Sequence, residues 1–287
     1  MNDGSISNRL AAVAAILAGI AAAVGLLVPG LYRDAPNWAQ QTRGTDLATL
    51  FVAVPVIAFG LWTARGGSSF GRTAVLAALL YLVYNYAIFV FSVAMNPLTA
   101  VHIVIFGLAL WSLILGAQSP AVAEAGTAVA QRLYRRVSGG LLLGVAGLFG
   151  LLWLGQIATA SMTGTLAPDL VRAGISTNPV YALDLAFFLP LCALAGIGLI
   201  RRNRAAVFAL PMLIWVFFMG AGILGGFGFA AAAGDEVPVV VAAVIGGLSM
   251  VAAILAAVPM VRKAPGGASL THRSAPASTS HPAHHGG

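Results

Sequence analysis

Two aspartates in matching surroundings are the residues of this chain best placed to do chemistry. Asp46-Leu47-Ala48 and Asp184-Leu185-Ala186 each head an apolar run, and Gly60-Leu61 and Gly198-Leu199 fall in the same register at its far end. Each run closes on arginine, Arg65 in one and Arg201-Arg202 in the other. A charged carboxylate at a bilayer centre costs about 2.5–3.5 kcal/mol and less toward the edge, so it needs a partner, a wet cavity or a cation. Asn85, Asn96, His102, Gln156 and Tyr181 are the neutral groups able to orient a ligand beside the two acids. Tyr81, Asn85, Ser92 and Asn96 are spaced by four, seven and four residues, which aligns them on one helical face. Helix direction then brings Asp46, Asn96, His102, Gln156, Tyr181 and Asp184 to a common level near the outer side. That set suits the binding of a small molecule or ion. His102 with one aspartate, as acid and base or as metal ligands, would make an enzyme acting at the outer leaflet. Packed into closed polar pairs, the same residues would serve a scaffold or sensor subunit.

Other chemistries find no foothold. The sequence has no H-E-x-x-H, G-x-S-x-G or P-loop, and its single cysteine, Cys192, lies inside an apolar run. Nothing in these motifs requires an enzyme, a cofactor or a resident metal.

The elements that must position the candidates are membrane helices. Of 287 residues 60% are hydrophobic and 8% charged, with a mean hydropathy of +0.94, outside the range of soluble domains. A net charge of +7 raises the question of nucleic acid, but the basic residues form short clusters between apolar runs, so no nucleic-acid partner is expected. A bilayer core of about 30 Å needs roughly 20 apolar residues in a helix. Eight segments qualify: 10–28, 46–64, 73–95, 98–117, 139–160, 180–200, 206–231 and 237–261. The predicted fold class is therefore all-α, a polytopic bundle of eight transmembrane helices with the lipid bilayer as its first partner. Sorting Lys and Arg by alternate loops puts twelve on one side and only Arg33, Arg43 and Arg172 on the other, which predicts both termini in the cytoplasm. The first segment, following Arg9, reads as a signal anchor that stays.

Loop lengths repeat as the motifs do. Each half has a long outer loop (29–45, then 161–179), a short basic inner turn and a very short outer turn (96–97, then 234–236). This predicts a four-plus-four internal repeat with both halves facing the same way, because four is even. Its parts are a first unit at 1–117, a cytoplasmic linker at 118–137, a second unit at 138–263 and a tail at 264–287 expected to be disordered. The linker reads as an amphipathic helix at the inner leaflet. The tail histidines His281, His284 and His285 read as low-complexity drift. Gly140, Gly144 and Gly147, and Gly222, Gly226 and Gly228, are predicted to pack within the bundle. Pro55 and Pro190 sit inside the second and sixth segments, at different offsets from the two aspartates.

For Asp184, Asn178-Pro179 marks a helix start, which puts the acid about 7.5 Å inside. For Asp46, Gly44-Thr45 can be read as a fresh start at which an acid favours the positive end of the dipole. The aspartates and their helices, together with Tyr84-Asn85-Tyr86 leading to Asn96-Pro97 and Tyr181-Ala182-Leu183-Asp184 leading to Pro190, resemble a set of bacterial multi-pass membrane proteins of unknown function. The resemblance spans most of the eight helices. It implies an eight-helix fold in the bacterial inner membrane and no particular activity. The expected site is an outward-facing polar pocket between the halves.

Overall fold

The computed structural model describes residues 3–262, and every regular element among them is helical. The tail, with His281, His284 and His285, lies outside the described residues. In chain order the helices are α1 (Asp3–Leu27), α2 (Pro36–Arg65), α3 (Ser69–Ser92), α4 (Thr99–Ala117), α5 (Pro120–Ala130), α6 (Arg135–Thr163), α7 (Pro168–Ala173), α8 (Pro179–Arg201), α9 (Arg204–Ala232) and α10 (Val239–Val261). Eight of these, all but α5 and α7, are long and apolar enough to cross a bilayer. This is a multi-pass α-helical membrane protein.

Local signals set the helix ends. Proline stands in the first turn of α2, α5, α7 and α8, where its missing N–H costs nothing. The Ser68 hydroxyl accepts from Gly71 N at the start of α3, and Asn178 Oδ1 accepts from Val180 N at the start of α8. Helix α6 stops at Gly164, whose left-handed φ of 68° allows its N–H to reach back to the Ala160 carbonyl.

Helices α3 and α9 form the centre. They bury 72% and 61% of their most apolar stretches, against 22–44% for the other six, and they pack on each other. Apolar side chains on all sides suit a helix surrounded by others. The first four spanning helices pack as α1 on α2, α2 on α3, α3 on α4 and α1 on α4, and the last four as α6 on α8, α8 on α9, α9 on α10 and α6 on α10. Outside, Trp62, Trp111, Leu151 and Phe187 are exposed, an apolar belt suited to lipid.

The tightest crossing joins α2 to α9. A Cβ on Gly44 would run into the backbone of Gly222 and Gly226, so only glycine lets the two helices come this close. Gly222 and Gly226 thus pack inside the bundle as their spacing predicts. Gly140, Gly144, Gly147 and Gly228 do not, since a Cβ at each would meet open space. The close approach in α6 is made one residue earlier, by Gly139 against Gly196 of α8. The linker is helical at α5, but it packs on α3 and the start of α9, with Gly126 seated against Val207.

Helices α2 and α8 each contain a π turn, at Thr49–Ala53 and at Asp184–Phe188. Proline follows each turn at the same distance, Pro55 and Pro190, and the residue just before each proline donates five residues back, Val54 N to Thr49 O and Leu189 N to Asp184 O. A proline ring lacks an N–H and clashes with the carbonyl four residues earlier, and widening the turn by one residue relieves that clash.

Candidate functional site

The structure distributes four of the seven candidate residues over two polar centres, with Asn85, Asn96 and His102 outside both. The first centre surrounds Asp46. Helix α2 begins at Pro36, not near Gly44, so Asp46 stands ten residues inside, about 15 Å along the axis, and is not an acid at a helix start. Its carboxylate is 2% exposed and accepts a 2.5 Å hydrogen bond from the Tyr32 hydroxyl. Tyr32 lies on the connection between α1 and α2. Burial first, and then the Asp46 carboxylate, push its phenol well above the ordinary tyrosine range, so it remains a donor. Gly25 of α1 closes the centre, because a Cβ there would overlap both the Asp46 carboxylate and the Tyr32 hydroxyl. Arg43 is near enough to act on Asp46 electrostatically, but it donates to the Leu26 carbonyl at 3.3 Å and lies over the Phe229 ring.

The second centre surrounds Asp184 and draws on both halves of the chain. The carboxylate is 5% exposed, and its Oδ2 accepts from Trp153 Nε1 of α6 at 2.8 Å. Tyr84 of α3 faces the same carboxylate, yet Oδ1 has no hydrogen-bond partner. Aromatic rings cluster about Tyr84 and Trp153, the two side chains that reach the acid. Tyr84 meets Phe188 edge-on at 4.8 Å, Phe188 stacks on Trp215 at 5.0 Å, and Trp153 lies against Tyr181 at 4.8 Å. Trp215 Nε1, in the same ring cluster, is a second buried polar atom without a partner. Tyr181 donates to Gln156 Oε1, so two predicted residues do meet, and Trp153 links them to Asp184.

The remaining candidates have other surroundings. Asn85 donates back along α3 to the Tyr81 carbonyl at 2.9 Å and across to Met219 Sδ of α9 at 3.9 Å. Asn96 is not on the α3 face, because α3 ends at Ser92. Its Oδ1 accepts from Leu98 N and its Nδ2 donates to the Ala94 carbonyl, which shapes the turn into α4. His102 is 1% exposed and packs against Phe89 and Tyr86 at ring distances of 4.8 and 5.7 Å, with Nε2 unpartnered. It makes no contact with either carboxylate of the kind the acid–base reading requires, and the described residues contain no group of three metal-ligating side chains. Tyr32, Trp153 and Trp215 are the functional candidates missing from the sequence reading.

Two adjoining cavities open at the opposite, arginine-rich end. The larger, about 190 Å³, is lined by Ser7, Asn8, Arg65, Arg72 and Ser119, and the smaller, about 30 Å³, shares Ser7, Asn8 and Arg72 and adds Leu76 and Leu79.

Set beside known proteins, the chain matches no family model, no curated protein and no solved structure. The fold thus defines the class, a polytopic helical membrane protein, and the reading of the site rests on its own geometry.

Proposed function

We propose that this protein binds and moves a small organic cation across a bacterial inner membrane, with Asp184 as the charged contact. The observation that carries the reading is the Asp184 carboxylate itself, buried, bonded through one oxygen only, and flanked by Trp153 and by Tyr84, whose ring packs with Phe188 and Trp215. A buried acceptor without a donor calls for a proton, a donor or a cation. Hard metal ions prefer several oxygen ligands, whereas aromatic faces around one carboxylate favour an ammonium group. The centre also lies where a transport site is useful, between α3 of the first half and α6, α8 and α9 of the second.

The matching neighbour pairs in the two halves support the four-plus-four repeat, and the arginine count supports cytoplasmic termini. In this reading Asp46 is a structural pin, since Tyr32 satisfies it and Gly25 closes over it. Thermal unfolding of purified protein in nanodiscs tests the proposal. Tetramethylammonium, against sodium and potassium at equal ionic strength, should stabilise wild type and Asp46→Asn but not Asp184→Asn. At a hundredfold excess over Kd the gain is about 2.7 kcal/mol. An equal response of wild type and Asp184→Asn would remove the assignment.

A further inference from the structure

We infer that the cavity at the arginine-rich end is a binding site for a phosphate group, independent of the Asp184 centre. It is built from α1, α2, α3 and the segment joining α4 to α5, and among the described residues its lining brings together Arg65, Arg72, Asn8, Ser7 and Ser119 with no carboxylate. Neither guanidinium has a hydrogen bond or ion pair within the described residues, although each presents a planar fork of donors that matches phosphate oxygens two at a time. Ser119 stands at the N-cap of α5, but its hydroxyl makes no capping bond, which leaves it available to the cavity together with the positive end of that eleven-residue helix.

The frame around these groups is fixed. Ser7 Oγ donates to the Ser112 carbonyl at 2.9 Å and Ser112 Oγ donates to the Ser7 carbonyl at 2.8 Å, a reciprocal clasp of α1 on α4. Gly116 keeps the floor clear, since a Cβ there would stand 3.0 Å from Ser7 Oγ. Ser68 caps α3 three residues before Gly71 and so fixes the turn that carries Arg72. Size narrows the ligand. At about 190 Å³ the cavity exceeds the roughly 30 Å³ share of one water but falls short of the roughly 300 Å³ at which drug-sized pockets begin. A phosphate with a short substituent fits those limits. Its source is either the headgroup of an anionic lipid, which basic pockets between membrane helices recognise, or a free phosphate compound.

The test is thermal unfolding of the full chain in neutral micelles, with dihexanoylphosphatidylglycerol, with inorganic phosphate, and with dihexanoylglycerol as the phosphate-free control. Phosphatidylglycerol should raise the Tm of wild type and dihexanoylglycerol should not. A response to phosphatidylglycerol alone assigns the site to a lipid headgroup, and an equal response to inorganic phosphate assigns it to a free phosphate compound. Arg65→Gln with Arg72→Gln should weaken binding about tenfold or more, and Arg136→Gln should leave it unchanged. Ser119→Asp keeps both arginines, places a favourable capping residue on α5 and puts a carboxylate into the cavity, so it should fold and fail to respond. No response to either phosphate probe, a response equal to that of dihexanoylglycerol, or a response that survives Ser119→Asp would overturn the assignment.

Discussion

Replacing Tyr32 by Phe isolates one hydrogen bond, because the ring stays and only its hydroxyl leaves. The bond to Asp46 Oδ2 is 2.5 Å long, and both residues are nearly sealed from solvent, at 8% and 2% exposure. Stranding a buried acceptor costs about 1–3 kcal/mol in water-soluble proteins. Hydrogen bonds between membrane helices average nearer 0.6 kcal/mol, with a maximum of about 1.7, because the unfolded chain in lipid finds other partners. Tyr32 sits on a connecting segment, where the unfolded state returns its hydroxyl to the interface. The higher regime therefore applies, and the expected loss is about 2 kcal/mol. The edge-to-face contact of the ring with Phe89, at 6.0 Å, survives the change, so packing contributes little to the loss. Reversible unfolding in mixed micelles, run as a double-mutant cycle with Asp46→Asn, should give a coupling of about 1.5 kcal/mol. A coupling below about 0.5 kcal/mol would show that the pair does not pin the α1–α2 connection.

Three more outcomes follow from the same structure. Gly44→Ala should cost about 1–3 kcal/mol or abolish folding, since its Cβ meets backbone that cannot rotate away, whereas Gly140→Ala, facing open space, should be neutral or gain about 0.5–1 kcal/mol; chemical denaturation of both variants compares them directly. Trp153→Phe removes the sole indole donor to Asp184 and should lose about 1–3 kcal/mol in the same assay, while Trp111→Phe on the exposed face should change stability by less than about 0.5 kcal/mol. The raised Tyr32 phenol is protonated in the folded state at pH values where the unfolded state has ionised, so its contribution is intact below about pH 10 and falls as pH rises beyond it; Tyr32→Phe should flatten the alkaline limb of a stability–pH curve by up to about 1.4 kcal/mol per pH unit, and an unchanged limb would contradict the burial of that hydroxyl.

The eight spans were legible in sequence because bilayer thickness imposes a length that apolar runs reveal. The start of α2 was not, because residues 36–45 are polar enough to read as loop and become helical by packing on α9 at Gly44. Pro36 was the available signal, in the first-turn position that proline favours. Both aspartates stood out by type and context, while the bond between Tyr181 and Gln156 is a lateral contact that a shared depth alone does not specify. Tyr32 and Trp153 were missed because a loop tyrosine and a helix tryptophan look like ordinary packing residues until tertiary structure places a carboxylate beside them. Asn96 looked like part of a helical face because spacing alone does not show that α3 ends four residues earlier.

The two π turns change the relation between the long helices of the two halves. Aligned on the aspartates, and on Gly60 with Gly198, α2 and α8 differ by 138 residues; aligned on the π turns and their prolines, they differ by 135. Under the second register Thr49 corresponds to Asp184, and Asp46 to Tyr181. The contacts favour this pairing at the core. Thr49 lies against the Tyr81 hydroxyl of α3, at 3.4 Å, as Asp184 lies against Tyr84. Each π turn thus turns its first residue toward a tyrosine of the central helix, but only the turn in α8 carries a carboxylate there. Asp46 sits one turn earlier and is held by the α1–α2 connection instead. The likeness of the two Asp-Leu-Ala motifs therefore does not make their acids equivalent, and the group at the junction of the halves, bonded through one oxygen only, is Asp184.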